Sequence, residues 1–191
     1  MANIFNTLFM VKVRGKDSII GKTVRIRRPE TFRIGRNSIV DDFTYISCQV
    51  RIGRYTHVGA GAHFIGGKKA KITIGDFCNI APGCNIAAGQ NDYSGGGLVG
   101  PAIPKGYGGE PILEPVEIGD HCLLGFNVSV LAGVKLPEGV AVGAYSLLKP
   151  MAYKPWTVYA GVPAREVGVR NGVMIKQQAM KLMKDVESGK L

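Results

Sequence analysis

A beat of six constrains this chain more than any other feature. Aliphatic or aromatic residues stand at Ile20 and Ile26, then at Ile34, Val40, Ile46, Ile52, Val58 and Phe64. They resume at Ile74, Ile80 and Ile86, and again at Ile118, Leu124, Val130, Leu136, Val142 and Leu148. The residue after the beat is often Gly, Ala or Asp, and the residue two before it is small or β-branched, as at Val24, Ser38, Thr44, Thr56, Ala62 and Val128. Six fits neither a helix of 3.6 residues per turn nor one long two-residue alternation. It fits short strands whose residues i−2 and i point inward, joined by tight turns. Three such units close a triangular coil of about eighteen residues, and stacked coils make a solenoid with one continuous core. Cys78, Cys84 and Cys122 occupy the small inward slot and read as core residues, whereas Cys48 falls on a turn.

Two breaks interrupt the beat. Between Phe64 and Ile74 the excess is carried by GGKKAK, and between Ile86 and Ile118 about twenty-six residues leave the prism and return. Counting faces from Ile34, both excursions leave from the corner that ends the third face, one coil apart. Long loops in compact domains are usually functional. The expected organisation is an N-terminal flank over 1–19, the solenoid over 20–160 with its loop at 88–116, and an exit segment with a capping helix over 161–191. Position i−1 faces outward, so His57 and Asn79 line up on the second face, and His63 and Asn85 on the third, beside the loop corner. His121 falls on a turn. Ile39, Leu123 and Leu147 are apolar yet point outward, which marks an interface.

With 191 residues and a net charge of +10, the chain is one domain's worth and suits an anionic partner. Nucleic acid is disfavoured, because aromatics are few and not interleaved with the basic residues. No apolar run reaches membrane length, and the start lacks the features of a signal peptide, so a cytoplasmic, soluble protein is expected. The basic tail NGVMIKQQAMKLMKDVESGKL reads as an end-capping helix, with attraction to anionic lipid as the secondary reading.

The beat, the single long loop and the segment VYAGVPAREV together resemble the left-handed β-helix (hexapeptide-repeat) acyltransferases, and within them the sugar O- and N-acetyltransferases of the galactoside and maltose acetyltransferase type. The loop text NDYSGG is similar to the DDYSG of a polysaccharide and nucleotide-sugar branch. The resemblance implies an all-β, left-handed parallel β-helix that works as a homotrimer, with acetyl-CoA as co-substrate in a groove between subunits and no metal. The acceptor is a hydroxyl or amino group of a sugar, free, nucleotide-linked or lipid-linked, in surface-polysaccharide synthesis.

The same resemblance places the donor along Gly125, Gly143, Ala144, Lys149, Ala160, Gly161 and Arg165. Lys149 and Arg165, with Arg170 behind them, stand near its phosphates. The acceptor falls to Asn91, Tyr93, His63 and Asn85. Where relatives carry a histidine at the loop start, this chain has Asn91, which leaves the base to Asp92 or to a histidine of the prism wall. THVGAGAHFIGG matches the branch at His57, which selects His57 with Asp92, and His63 after it. No Ser or Cys stands in a nucleophile motif, so direct transfer is expected. Two other classes remain: a non-catalytic β-helix scaffold, and a metal-dependent carbonic-anhydrase-like protein. The latter needs three converging histidines, and His57, His63 and His121 share no register.

Overall fold

The computed structural model describes residues 13–190; most of the expected N-terminal flank lies outside them. The chain forms a left-handed parallel β-helix with three sheets as faces, of six, eight and six strands. Strands of two to four residues alternate with turns, as a period of six demands. On the first face Ile34, Ile52, Ile74, Ile118 and Leu136 stack in register. Val40, Val58, Ile80, Leu124 and Val142 do so on the second, and Ile26, Ile46, Phe64, Ile86, Val130 and Leu148 on the third. Each of these side chains is buried, which contributes roughly 1.5–3 kcal/mol apiece against exposure. The small inward slots are buried too, including Cys78, Cys84 and Cys122. Cys48 on its turn is also buried, and burial pushes its thiol up to about 12.

The turns explain the residues after the beat. Asp42, Asp76 and Asp120 reach one coil back and accept the backbone N–H of Thr23, Arg54 and Asp76 at 2.9, 2.6 and 2.7 Å. A left-handed residue completes each turn of the first corner. Asn37, Tyr55, Phe77, His121 and Trp156 all have positive φ, and each donates its N–H to the coil before. Their rings form a ladder: Tyr55 on Phe77 at 5.3 Å, Phe77 on His121 at 5.2 Å, and His121 beside Trp156 at 5.9 Å. Gly139 stands in this column with φ +76°, and any Cβ there would collide with the Trp156 ring.

Three features differ from the sequence expectation. A third, shorter break lies between Ile26 and Ile34, where a 3₁₀ turn over Pro29–Thr31 occupies the same third corner as the two larger excursions. After the last coil, Thr157–Gly161 and Ala164–Val169 form an antiparallel hairpin continuing the second sheet. The C-terminal helix, Val173–Glu187, runs along the flank of the prism at the first corner, where a cap over the open end was expected. It passes Phe77 and His121 with Met174 and Ile175, and reaches Asn37 and Lys16 with Leu182 and Val186. The reason is visible in its anchors: Lys176 pairs with Glu138 at 2.8 Å and lies 5.0 Å over the Trp156 ring, both on the corner ladder.

Candidate active site

The register distributes the candidate residues over two corners. The long loop leaves the third corner after Ala87, pairs Gly89–Gln90 with Ile112–Leu113, and bends over the coils that precede it. Beneath it lies a cleft of about 570 Å³, lined by Asn91 and Gln90 of the loop entrance, Tyr45, Ser47 and Ile65 of the third face, and Arg27 and Lys105. Asp92 stands next to Asn91 at the loop entrance. Its Oδ1 accepts the Ser94 N–H at 2.7 Å, and this backbone bond, with the Ser94 hydroxyl adding to it, holds the carboxyl below the usual aspartate range. Such a carboxylate is a weaker base than an ordinary one and a good anchor for a cation. The Tyr93 ring is 88% exposed and turned to solvent, away from the cleft-lining set.

His63 and Asn85 are opposite one another on the third face, between the two corners. Asn85 donates from Nδ2 to the Gly83 carbonyl at 3.0 Å, which turns its Oδ1 toward His63 Nδ1 at 3.1 Å. Nδ1 then carries the proton, and Nε2 is left as the acceptor.

His57 sits on the second face. Its Nε2–H donates to Asp41 Oδ2 at 2.8 Å, one coil below, with both side chains more than 40% exposed. Nδ1 is left as the basic nitrogen, beside a carboxylate placed to stabilise the imidazolium. The sequence reading paired Asp92 with His57 of the same or a neighbouring subunit. Within one chain they do not meet, because the second face is opposite the corner from which the loop leaves. Asp41 was missed, although the period contained the clue: it directly follows the beat in the coil below His57, at the edge of the same face.

Of the residues assigned to the donor, Gly125, Gly143, Ala144, Ala160, Gly161 and Arg165 gather along the second corner. There coils approach so closely that a Cβ on Gly125 would meet the Ala144 backbone at 2.7 Å. Ser146 Oγ accepts the Gly161 N–H at 3.0 Å and fixes the hairpin turn to the last coil. From Ala160 down to the His57 coil there are four strand spacings, about 19 Å. Lys149 is apart, around the third corner. Arg170 is committed to structure: it donates to the His121 and Gly139 carbonyls and lies 5.9 Å over Trp156. Among the described residues, no group of three or more His, Cys, Asp or Glu is placed to hold a metal ion. No described helix is long and apolar enough to cross a membrane.

No protein-family model matches the chain. The dTDP-4-amino-4,6-dideoxy-D-glucose acyltransferase of Escherichia coli is 31% identical to it over 170 residues, which is 84% of this chain and 86% of the relative. The structure is similar to that of AntD, an N-acyltransferase from Bacillus cereus solved as a mutant with dTDP and coenzyme A. The TM-score is 0.77 at 33% identity, covering 95% of this chain and 100% of the other. A maltose O-acetyltransferase from Clostridium difficile 630 shares the fold, with a TM-score of 0.57 at 20% identity over 83% of this chain and 70% of its own.

Proposed function

The chain belongs to the hexapeptide-repeat acyltransferases, and on that premise we propose that it moves an acyl group, acetyl in the simplest case, from coenzyme A to the amino group of a nucleotide-linked sugar. The observation that carries this reading is the arrangement of two complementary half-sites on one prism. The second corner offers the column from Ala160 to the His57–Asp41 pair, whose length suits an extended pantetheine arm with its thioester at the imidazole. The third corner offers the loop-covered cleft lined by Asn91, with Asp92 adjoining it in the loop. The half-sites are on different sides of one chain, so a complete site needs two copies, the loop of one facing the second corner of the next. A cyclic homotrimer satisfies this with one repeated heterologous contact. Leu123 on the second face, 37% exposed, and Phe43, Phe126 and Tyr145 near its corner, all more than half exposed, supply the apolar contact surface.

In the reaction, Asp92 holds the sugar ammonium and His57 Nδ1 takes its proton. The freed nitrogen attacks the thioester carbonyl, the C–N bond forms, its second proton passes to solvent, and the C–S bond breaks to leave a neutral amide. The imidazolium returns the proton to the departing sulfur, so coenzyme A leaves as the thiol. Asn91 and Asn85 orient the acceptor. The same logic accommodates a sugar hydroxyl, but a bound ammonium is what an anionic, weakly basic Asp92 favours. Incubation with acetyl-CoA and dTDP-4-amino-4,6-dideoxyglucose, following free thiol, should show release that depends on the amino sugar. Release no faster than hydrolysis without acceptor, across nucleotide-linked amino sugars, refutes the reading. A stable monomer in sedimentation refutes the two-copy site.

A further inference from the structure

Resting on that acyl-transfer reading, we propose that the cleft beneath the loop is the seat of the acceptor's nucleoside diphosphate, with Arg27 and Lys105 holding the diphosphate and Tyr45 walling the nucleoside. The cations make the first argument. Where Arg54, Lys135, Lys154 and Lys176 pair with Asp76, Glu117, Glu166 and Glu138, neither Arg27 nor Lys105 has an ion pair or side-chain hydrogen bond among the described residues. Both are exposed and both line the cleft. The neighbouring Arg28 is already engaged, donating to the Ser47 carbonyl at 3.0 Å and bracing the cleft floor. Two unpaired cations in one concave site make an anion-binding pair.

The walls make the second argument. Gly67, Gly100 and Gly106 have φ of +79°, +115° and +97°, and a Cβ on any of them would meet nothing within 4 Å. Backbone conformation, not crowding, requires glycine there, and it leaves bare peptide groups able to approach phosphate oxygens. Pro101, Pro104 and Pro111 restrict the same stretch. The Tyr45 ring is half-buried, edge-on to His63 at 6.5 Å, and offers a face to a base or ribose. Glu110 is the one carboxylate among the lining residues, suited to sugar hydroxyls rather than to the phosphates.

Direction makes the third. Arg27, Ser47, Ile65 and Gly89 belong to four successive coils, so the cleft extends about 14 Å along the prism from Arg27 to the loop entrance. The amino sugar then falls at Asn91 and Asp92, and the nucleotide toward the basic early coils. This assigns a role to part of the positive charge that acyl transfer alone does not use.

Coenzyme A also carries a nucleotide and a pyrophosphate, so the test must separate the two sources. Calorimetric titration of dTDP, inorganic pyrophosphate and coenzyme A into wild type, Arg27→Gln, Lys105→Gln, the double variant and Tyr45→Ala does so. All three positions are on the surface, and circular dichroism checks that the variants remain folded. Each cation variant should weaken dTDP and pyrophosphate by about 10- to 100-fold, with coenzyme A affinity unchanged within twofold. Tyr45→Ala should weaken dTDP while leaving pyrophosphate unaffected. The assignment is overturned if wild type does not bind dTDP, if the double variant keeps wild-type dTDP affinity, or if coenzyme A binding falls instead. A wild type that binds dTDP through these residues yet acylates no nucleotide-linked amino sugar would refute the reaction and leave the cleft assignment standing.

Discussion

Replacing Asp41 by Asn tests the His57–Asp41 pair at a magnitude that the geometry sets. The carboxylate oxygen is 2.8 Å from Nε2, and the two side chains are 42% and 44% exposed. Two unit charges 4 Å apart interact by about 1 kcal/mol in water and about 4 kcal/mol at the effective dielectric near a protein surface. Half exposure puts this pair toward the lower end, at about 1–2 kcal/mol of imidazolium stabilisation in the transition state. Asp41→Asn should therefore lower kcat by about 5- to 30-fold. Removing the imidazole, as in His57→Ala, removes proton transfer itself and should lower kcat by about 10²- to 10⁴-fold. In both variants the dissociation constant for coenzyme A should stay close to wild type. The assay is thiol release at saturating acetyl-CoA and amino sugar, repeated across pH. A rate limited by an imidazole falls on acidification through the neutral range. One limited by Asp92, whose carboxyl is held below the ordinary range by the Ser94 amide, stays flat there. If His57→Ala keeps kcat within threefold, His57 is not the base, and His63, with Nε2 free and Nδ1 held by Asn85, takes its place. If Asp41→Asn is as damaging as His57→Ala, the carboxylate does more than the half-exposed pair permits, and the argument from dielectric fails.

Three shorter predictions address the scaffold. Ile80 is fully buried between Val58 and Leu124, so Ile80→Ala should cost about 2–5 kcal/mol in urea unfolding, while Asn79→Ala on the outer side of the same strand should stay within about 0.5 kcal/mol. Gly139→Ala forces a side chain into the Trp156 ring and strains a left-handed residue; a shift in the emission of the sole tryptophan and a lower Tm should accompany it. All four cysteines are buried, and burial pushes Cys48 to about 12 and Cys84 to about 11. No thiol should react with a disulfide reagent at pH 8 until denaturant is added, and prompt reaction in the native protein would contradict the packing.

The period of six disclosed the fold because every coil repeats one physical requirement: a beat residue and a small residue two before it must both point into a narrow prism. It therefore placed His57 beside Asn79 and His63 beside Asn85 correctly, since outward register follows from inward register. It located the corner of both long excursions for the same reason. The step of eight between Ile26 and Ile34 was open to view yet passed as part of the beat, because two extra residues look like slack until the 3₁₀ turn at Pro29–Thr31 is seen. The helix escaped for a different reason. Its amphipathic pattern says that one face is covered, not whether an end or a flank covers it, and only Trp156, Glu138 and the ring ladder decide that.

The site was least legible where chemistry crosses coils. Asp41 and His57 are sixteen residues apart, a spacing no local motif records, and they touch only because one coil returns the chain to the same face. The partner chosen from the sequence, Asp92, belongs to the long loop itself, which leaves the corner opposite the face that carries His57. A period fixes which residues share a column; it is silent on which corner of a second copy comes to face that column. A rigid solenoid cannot fold one face onto another, so joining the loop of the third corner to the imidazole of the second requires another subunit. On the proposed reading the acyltransfer site is shared between copies, and mixing an inactive His57→Ala chain with an inactive chain lacking the loop carboxylate should restore activity, at up to one intact site in each hybrid trimer. Failure of such mixtures to regain activity after co-refolding, with both parents inactive and trimeric, would place His57 and Asp92 in separate functions.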